Sequence, residues 1–94
     1  MDRTFSRGDI TEPIETAYAL WTEAQMAGPF HPIFLPHFEW RMPPDVHEAL
    51  VAATERGMGP ISVEEERLFG HPITVDATLP PGWMQLDMYD PGPW

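Results

Sequence analysis

Proline constrains this sequence more than any other residue type. Twelve of the 94 residues are Pro and seven are Gly. A proline inside a helix or a central strand removes a backbone hydrogen-bond donor and fixes φ. Regular elements are therefore confined to short stretches between prolines. Because 43% of the residues are hydrophobic and four are Trp, the chain is too apolar and too aromatic for a disordered protein. We expect short elements joined by stiff, extended segments.

Two stretches have helical periodicity. The first covers about residues 12–27, with Asp9 or Thr11 as N-cap, Pro13 in the first turn and a stop at Gly28-Pro29. The second covers about residues 44–56 and ends before Gly57. The predicted inward faces are Ile14, Ala17, Tyr18, Trp21 and Ala24 in the first helix, and Val46, Leu50 and Ala53 in the second.

Three stretches alternate apolar and polar residues, as half-buried strands do. They cover about residues 38–42, 71–76 and 83–88. Because Pro80-Pro81-Gly82 is a turn sequence, we predict a hairpin over residues 71–88. The whole pattern predicts an α+β fold, with two helices packed on a small, mostly antiparallel sheet that has a C-terminal hairpin and Pro-rich extended arms. We expect a flexible leader over residues 1–11, one domain over 12–88 and a tail over 89–94.

Charge and composition exclude several classes of function. Fifteen Asp and Glu residues oppose five Arg, giving a net charge of −10, which argues against direct binding to nucleic acid or to anionic membranes. No stretch has the roughly 20 apolar residues of a membrane span. The absence of Cys excludes disulfides and thiolate zinc sites. The polar N-terminus has no signal-peptide pattern, so we expect no secretion.

The chemistry-bearing residues do not form a known catalytic pattern. The four histidines are candidate metal ligands, but Val51 stands where a helical His pair with His47 would need its second member. Glu39 and Asp87 could face each other across a sheet, where exposed strand charges are the expected interpretation. We predict no catalysis, no cofactor and no metal site. The histidines considered are His31, His37, His47 and His71.

Two apolar segments that are stiffened by proline carry more apolar surface than one small core can bury. They are the arm over residues 28–37 and the tail over residues 89–94. Trp21 and Trp40 lie on predicted inward faces, whereas Trp83 lies on the opposite face of its strand. We predict that aromatic and aliphatic side chains in these places bind a protein partner. The predicted interaction residues are Phe30, Ile33, Phe34, Leu35, Trp83, Tyr89 and Trp94.

The order of features from residue 38 onward resembles part of the major capsid protein of tailed bacteriophages. The strand Phe-Glu-Trp-Arg-Met runs into Pro-Pro-Asp and a short helix, and Leu-Phe-Gly-His-Pro-Ile leads later to Leu-Pro-Pro-Gly. Short open reading frames of actinobacterial phages look similar. The resemblance implies a small, non-enzymatic virion or accessory protein, located in the virion or the host cytoplasm. Its partners would be capsid or other virion subunits, or further copies of itself.

The acidic composition supports an alternative from a different class. An inhibitor that mimics nucleic acid could occupy a DNA-binding site of a host-defence protein, with carboxylates in place of phosphates. Only Glu64-Glu65-Glu66 forms a dense acidic run, so this remains the second hypothesis.

Overall fold

The computed structural model describes residues 3–28, 35–55 and 67–89. Two helices and five strands follow one another in these ranges. In chain order they are β1 (Arg3–Arg7), α1 (Pro13–Gln25), β2 (His37–Met42), α2 (Pro44–Glu55), β3 (Arg67–Leu68), β4 (His71–Val75) and β5 (Met84–Tyr89). No helix in the described ranges is long and apolar enough to cross a membrane.

The five strands form one sheet in the order β1-β5-β2-β4-β3. β2 and β4 are parallel, and the other neighbouring strands are antiparallel. The predicted α+β class, with two helices and a mostly antiparallel sheet, is therefore confirmed.

The predicted hairpin over residues 71–88 is wrong. Both strands exist, but β2 lies between β4 and β5. The turn that should join them is attached elsewhere: the Gly82 N–H donates to Asp45 Oδ2 at 2.9 Å, and the Gly82 carbonyl accepts from the Ile10 N–H at 3.0 Å. Strand and turn signals are local, whereas the choice of strand partner depends on contacts between residues that are distant in sequence. Here β2 pairs with β4 on one side and with β5 on the other.

The expected flexible leader is also wrong over residues 3–7, which form the edge strand β1. Phe5 lies opposite Leu86 of β5, and only 5% of Phe5 is exposed. One buried aromatic side chain among four polar residues gives too weak an alternation for sequence analysis to detect. Its burial opposite β5 provides the stability that local sequence does not.

Helix α1 begins differently from the prediction. Glu12 is the N-cap and makes no side-chain cap hydrogen bond, so neither Asp9 nor Thr11 caps the helix. Pro13 stands in the first turn as predicted, where its missing N–H costs little. Asp9 instead has a left-handed φ of 52° in the connection from β1.

Both helices cover the same face of the sheet. The chain moves in one direction across the sheet from β1 through α1 to β2, and then through α2 to β4. Right-handed crossovers in one direction place their helices on a common face. The inward stripe of α2 is confirmed, whereas α1 buries Leu20, absent from the predicted face, and leaves Tyr18 39% exposed. The core includes Phe5, Leu20, Phe38, Trp40, Met42, Leu50, Leu68, Ile73, Met84, Leu86 and Met88.

Candidate protein-interaction surface

The predicted interaction residues fall partly outside the described ranges. Leu35 is 66% exposed, Tyr89 is 37% exposed, and Trp83 is half-buried. The residues outside the described ranges are Phe30, Ile33, Phe34 and Trp94.

Leu35 and Tyr89 lie at one end of the sheet, where β2 and β4 begin and β5 ends. His37 pairs with Tyr89 across the β2–β5 ladder, and their ring centroids are 6.2 Å apart. Leu35 precedes His37 by two residues. We call this region, defined by Leu35, His37, His71 and Tyr89, the His37 end. The predicted arm and tail therefore join the fold at adjacent strand positions, which the sequence alone did not indicate.

An aromatic cluster supports the His37 end from the core side. The Trp21 ring stacks on Phe69 at 5.5 Å and contacts Phe38 edge-on at 5.1 Å. Tyr18 contacts Phe69 edge-on at 5.1 Å. The cluster joins α1, β2 and the β3–β4 turn, so these elements hold the start of β2 in a fixed position. Trp21 and Trp40 contribute to the core side as predicted.

The β3–β4 turn contains a conformation that the sequence analysis missed. Phe69 and Gly70 have φ values of 54° and 80°, the positive pair typical of a two-residue type I′ turn. A bulky residue is rare in this region. Leu68 lies fully buried beside it, and its carbonyl accepts a hydrogen bond from Trp40 Nε1 at 2.9 Å. The Phe-Gly dipeptide between two short strands was the local signal that could have revealed the turn.

His71 begins β4 inside this cluster. Its ring lies 5.0 Å from Trp21 and 5.2 Å from Phe38. Burial lowers the pKa of His71 below its ordinary value, and the nearby His37 and Arg67 lower the pKa further. The neutral imidazole is therefore the form that this packing favours.

Trp83 lies at the opposite end of β5 from Tyr89. Its Nε1 donates to Gln85 Oε1 at 3.1 Å, and its ring is 3.4 Å from the position that a Cβ on Gly8 would occupy. The structure does not bring Trp83 together with Leu35 and Tyr89. We therefore leave it out of the candidate surface.

The sheet face away from the helices carries a polar network. Glu39 and Asp87 are direct cross-strand partners, as predicted, and Arg41 lies 3.7 Å from a carboxylate oxygen of each. Arg41 also approaches Asp76 at 3.7 Å. Asp87 Oδ1 accepts hydrogen bonds from Thr4 and Gln85, both at 2.9 Å. The shared cation and these bonds give the carboxylates a structural role in joining three strands.

Sequence analysis placed Arg41 on the polar face but missed its role as the centre of this network. Asp76 reaches Arg41 because β4 runs parallel to β2, and the Asp76 N–H donates to the Met42 carbonyl at 2.8 Å. The Thr78 hydroxyl and backbone N–H both bond Asp76 and lower the pKa of that carboxyl. Only the tertiary pairing of β2 with β4 brings these residues together.

The histidines do not converge on a common point. His37 and His71 begin neighbouring strands, His47 lies on α2, and His31 is outside the described ranges. Within residues 3–28, 35–55 and 67–89, no three His, Asp or Glu side chains are placed to hold a metal ion.

Comparison of the chain with protein-family models, with curated proteins and with solved structures finds no significant match.

Proposed function

We propose that this protein is a small, non-enzymatic structural or accessory component of a tailed-phage particle, and that it binds a protein surface of that particle through its His37 end. The resemblance of residues 38–88 to part of the phage capsid protein supports a role in the particle. The position of Leu35, His37 and Tyr89 at one end of the sheet supports the mode of binding.

The adjacency of His37 and Tyr89 carries the proposal. Two separate apolar segments would each lose conformational entropy on binding, whereas segments that join a rigid sheet at adjacent positions can contribute to one contact area. The aromatic cluster around Trp21 and Phe69 fixes this end of the sheet before binding. Preorganisation of this kind favours affinity, and exposed Leu and Tyr side chains supply the apolar area.

The test is association with purified phage particles that carry the gene, measured after density-gradient centrifugation. We expect the protein to band with the particles and to remain bound at high NaCl concentration, because apolar contacts are insensitive to screening. Leu35→Ser combined with Tyr89→Ser should release the protein into the soluble fraction.

The control is Val75→Ser, which changes another exposed apolar side chain at the opposite end of β4. This variant should band with the particles like the wild type. Absence of the wild-type protein from particles would refute the particle role. Equal binding by the Leu35/Tyr89 variant would refute the His37 end as the contact.

An acidic nucleic-acid mimic is the second candidate. Asp9, Glu12 and Glu15 are all exposed around the start of α1, which is one observation in its favour. Binding of this kind would weaken steeply with salt, because charges rather than apolar area would carry it. The dependence of partner binding on NaCl concentration therefore separates the two candidates.

A further inference from the structure

Strand β1 is the outermost strand of the sheet on the β5 side. In the described ranges, β1 pairs only with β5, so its other edge presents unpaired backbone groups. Such an edge is a template for another strand. The opposite edge differs, because β3 has only two residues and β4 contributes Pro72, which has no N–H to donate. The two edges of the sheet are therefore unequal, and β1 is the longer and more regular one.

The sequence of β1 is nearly palindromic. It reads Arg3-Thr4-Phe5-Ser6-Arg7, with hydroxyl residues on both sides of a central Phe and Arg at both ends. Antiparallel pairing of two such strands about Phe5 places Thr4 opposite Ser6 of the second copy. Cross-strand hydroxyl pairs of this type are favourable. Self-pairing in this register therefore matches residue types at the three central positions.

The terminal arginines of β1 differ in their partners. Arg7 NH2 lies 2.5 Å from Glu23 Oε2. Arg3 stacks over the Phe5 ring at 5.2 Å, and no carboxylate of the described ranges pairs with it. In the antiparallel register, Arg3 lies opposite Arg7 of the second copy and hence beside its Glu23. Glu23 can then serve both arginines, which removes the repulsion that two directly opposed cations would have.

We propose that two copies of this chain pair through β1 to form a continuous ten-stranded sheet, with a two-fold axis at Phe5. The arrangement is isologous, so the same residues contribute from both copies. This edge also carries Arg3 and Arg7, two of the five cations in a chain of net charge −10, so the copies meet where each is least negative. The proposal is independent of the His37 end.

Cysteine pairing tests the register directly, because the chain has no Cys of its own. Chains carrying Thr4→Cys are mixed with chains carrying Ser6→Cys and oxidised under mild conditions. The mixture should give disulfide-linked heterodimers, because directly opposite Cα atoms of an antiparallel pair lie about 4.5–5.5 Å apart, within the span of a disulfide. Either chain alone should cross-link poorly, since identical positions are offset by two residues along the strand. No cross-linking, or equal cross-linking in all three samples, would contradict the proposal.

A charge variant tests the same interface without cysteine. Arg3→Glu removes the cation that would share Glu23 of the second copy and places a carboxylate beside that Glu23 instead, so the dimer should become weaker by on the order of tenfold, because two symmetric contacts change together. Arg67→Glu changes the net charge equally at a site away from β1 and is the matched control. Sedimentation equilibrium at moderate NaCl concentration measures both. A wild type that stays monomeric at every concentration measured, or equal responses of the two variants, would overturn the self-pairing.

Discussion

At the scale of single residues, packing stabilises an unfavourable backbone conformation at Phe69 and the neutral form of the imidazole at His71. Phe69 adopts a left-handed φ of 54° because its ring stacks on Trp21, and a residue in this region costs roughly 1–2 kcal/mol. His71 is held in an aromatic contact that favours its neutral form. Both residues belong to the same short segment of chain. The β3–β4 turn and the residue that follows it therefore contain both an unfavourable backbone conformation, at Phe69, and a histidine with a lowered pKa, at His71.

The lowered pKa of His71 predicts a specific pH dependence of stability. As pH falls from above 6.5, the unfolded chain binds a proton at His71 before the folded chain does. The free energy of unfolding should therefore decrease as pH falls through the interval between 6.5 and the lowered pKa, and this contribution should be complete above pH 6.5. Urea unfolding followed by Trp fluorescence between pH 7.5 and 5 measures the slope.

Two variants make the His71 prediction specific. His71→Gln should flatten the slope, because the titrating group is gone. His47→Gln is the control on α2 and should retain the slope, because His71 remains. An unchanged slope in His71→Gln would show that another group produces the pH dependence.

At the scale of elements, the β3–β4 turn and helix α1 are stabilised in different ways. The turn depends on backbone conformation, with positive φ at Phe69 and Gly70. Helix α1 depends on burial of Leu20 and its neighbours, since its N-cap residue Glu12 makes no side-chain cap bond. A single substitution can therefore test each element: one at Gly70 tests the positive φ of the turn, and one at Glu12 tests the missing N-cap hydrogen bond of α1.

Gly70→Ala should destabilise the protein by about 1 kcal/mol. The cost is purely conformational, because φ is 80° and a Cβ at this position would meet no atom within 4 Å. Gly8→Ala is the matched control, since its Cβ would reach only an ordinary contact of 3.4 Å with the Trp83 ring. Thermal unfolding compares them. Equal melting temperatures for the two variants would be inconsistent with the positive-φ turn.

Glu12→Ser should stabilise the protein by about 0.5–1 kcal/mol, because Ser at the N-cap can accept from an unpaired N–H of the first turn. Glu15→Ser is the opposite control: it removes a carboxylate from the positive end of the α1 dipole and should destabilise slightly. Chemical denaturation of both variants measures the change in the free energy of unfolding, which should be positive for Glu12→Ser and negative for Glu15→Ser. A loss of stability in Glu12→Ser would show that Glu12 has a role other than capping.

At the scale of the whole molecule, the net charge of −10 acts against folding, because compaction brings like charges together. The Arg41 network and the Arg7–Glu23 pair act in the opposite direction. Exposed ion pairs contribute little, typically about 0–1 kcal/mol each. Self-repulsion should therefore dominate the response to salt.

We expect the melting temperature to rise as NaCl is increased from low concentration to about the physiological 0.15 M. Arg67→Glu, which makes the chain more negative, should increase this dependence. Scanning calorimetry at several salt concentrations provides the measurement. A melting temperature that falls with salt would show that the ion pairs around Arg41 outweigh the net repulsion.

The local elements follow from periodicities that can be read directly from the amino-acid sequence. Spacing of apolar residues predicted both helices to within a few residues, the inward stripe of α2, and the half-buried strand over residues 83–88, in which Met84, Leu86 and Met88 are buried. Alternation also placed Glu39 and Asp87 on one sheet face. These properties follow from the 3.6-residue and two-residue periods of helix and strand, which a sequence contains directly.

The identity of neighbouring strands, in contrast, depends on contacts between residues that are distant in sequence. In the folded chain β2 lies between β4 and β5, and residues 3–7 form the edge strand β1. As a result, His37 lies beside Tyr89 and Asp76 lies beside Arg41. Strand pairing joins residues that are distant in sequence, and its free energy comes from burying a shared core rather than from local preference. For that reason Leu35 and Tyr89 could be predicted as interaction residues from the sequence, whereas their position at the same end of the sheet follows only from the pairing of β2 with β5.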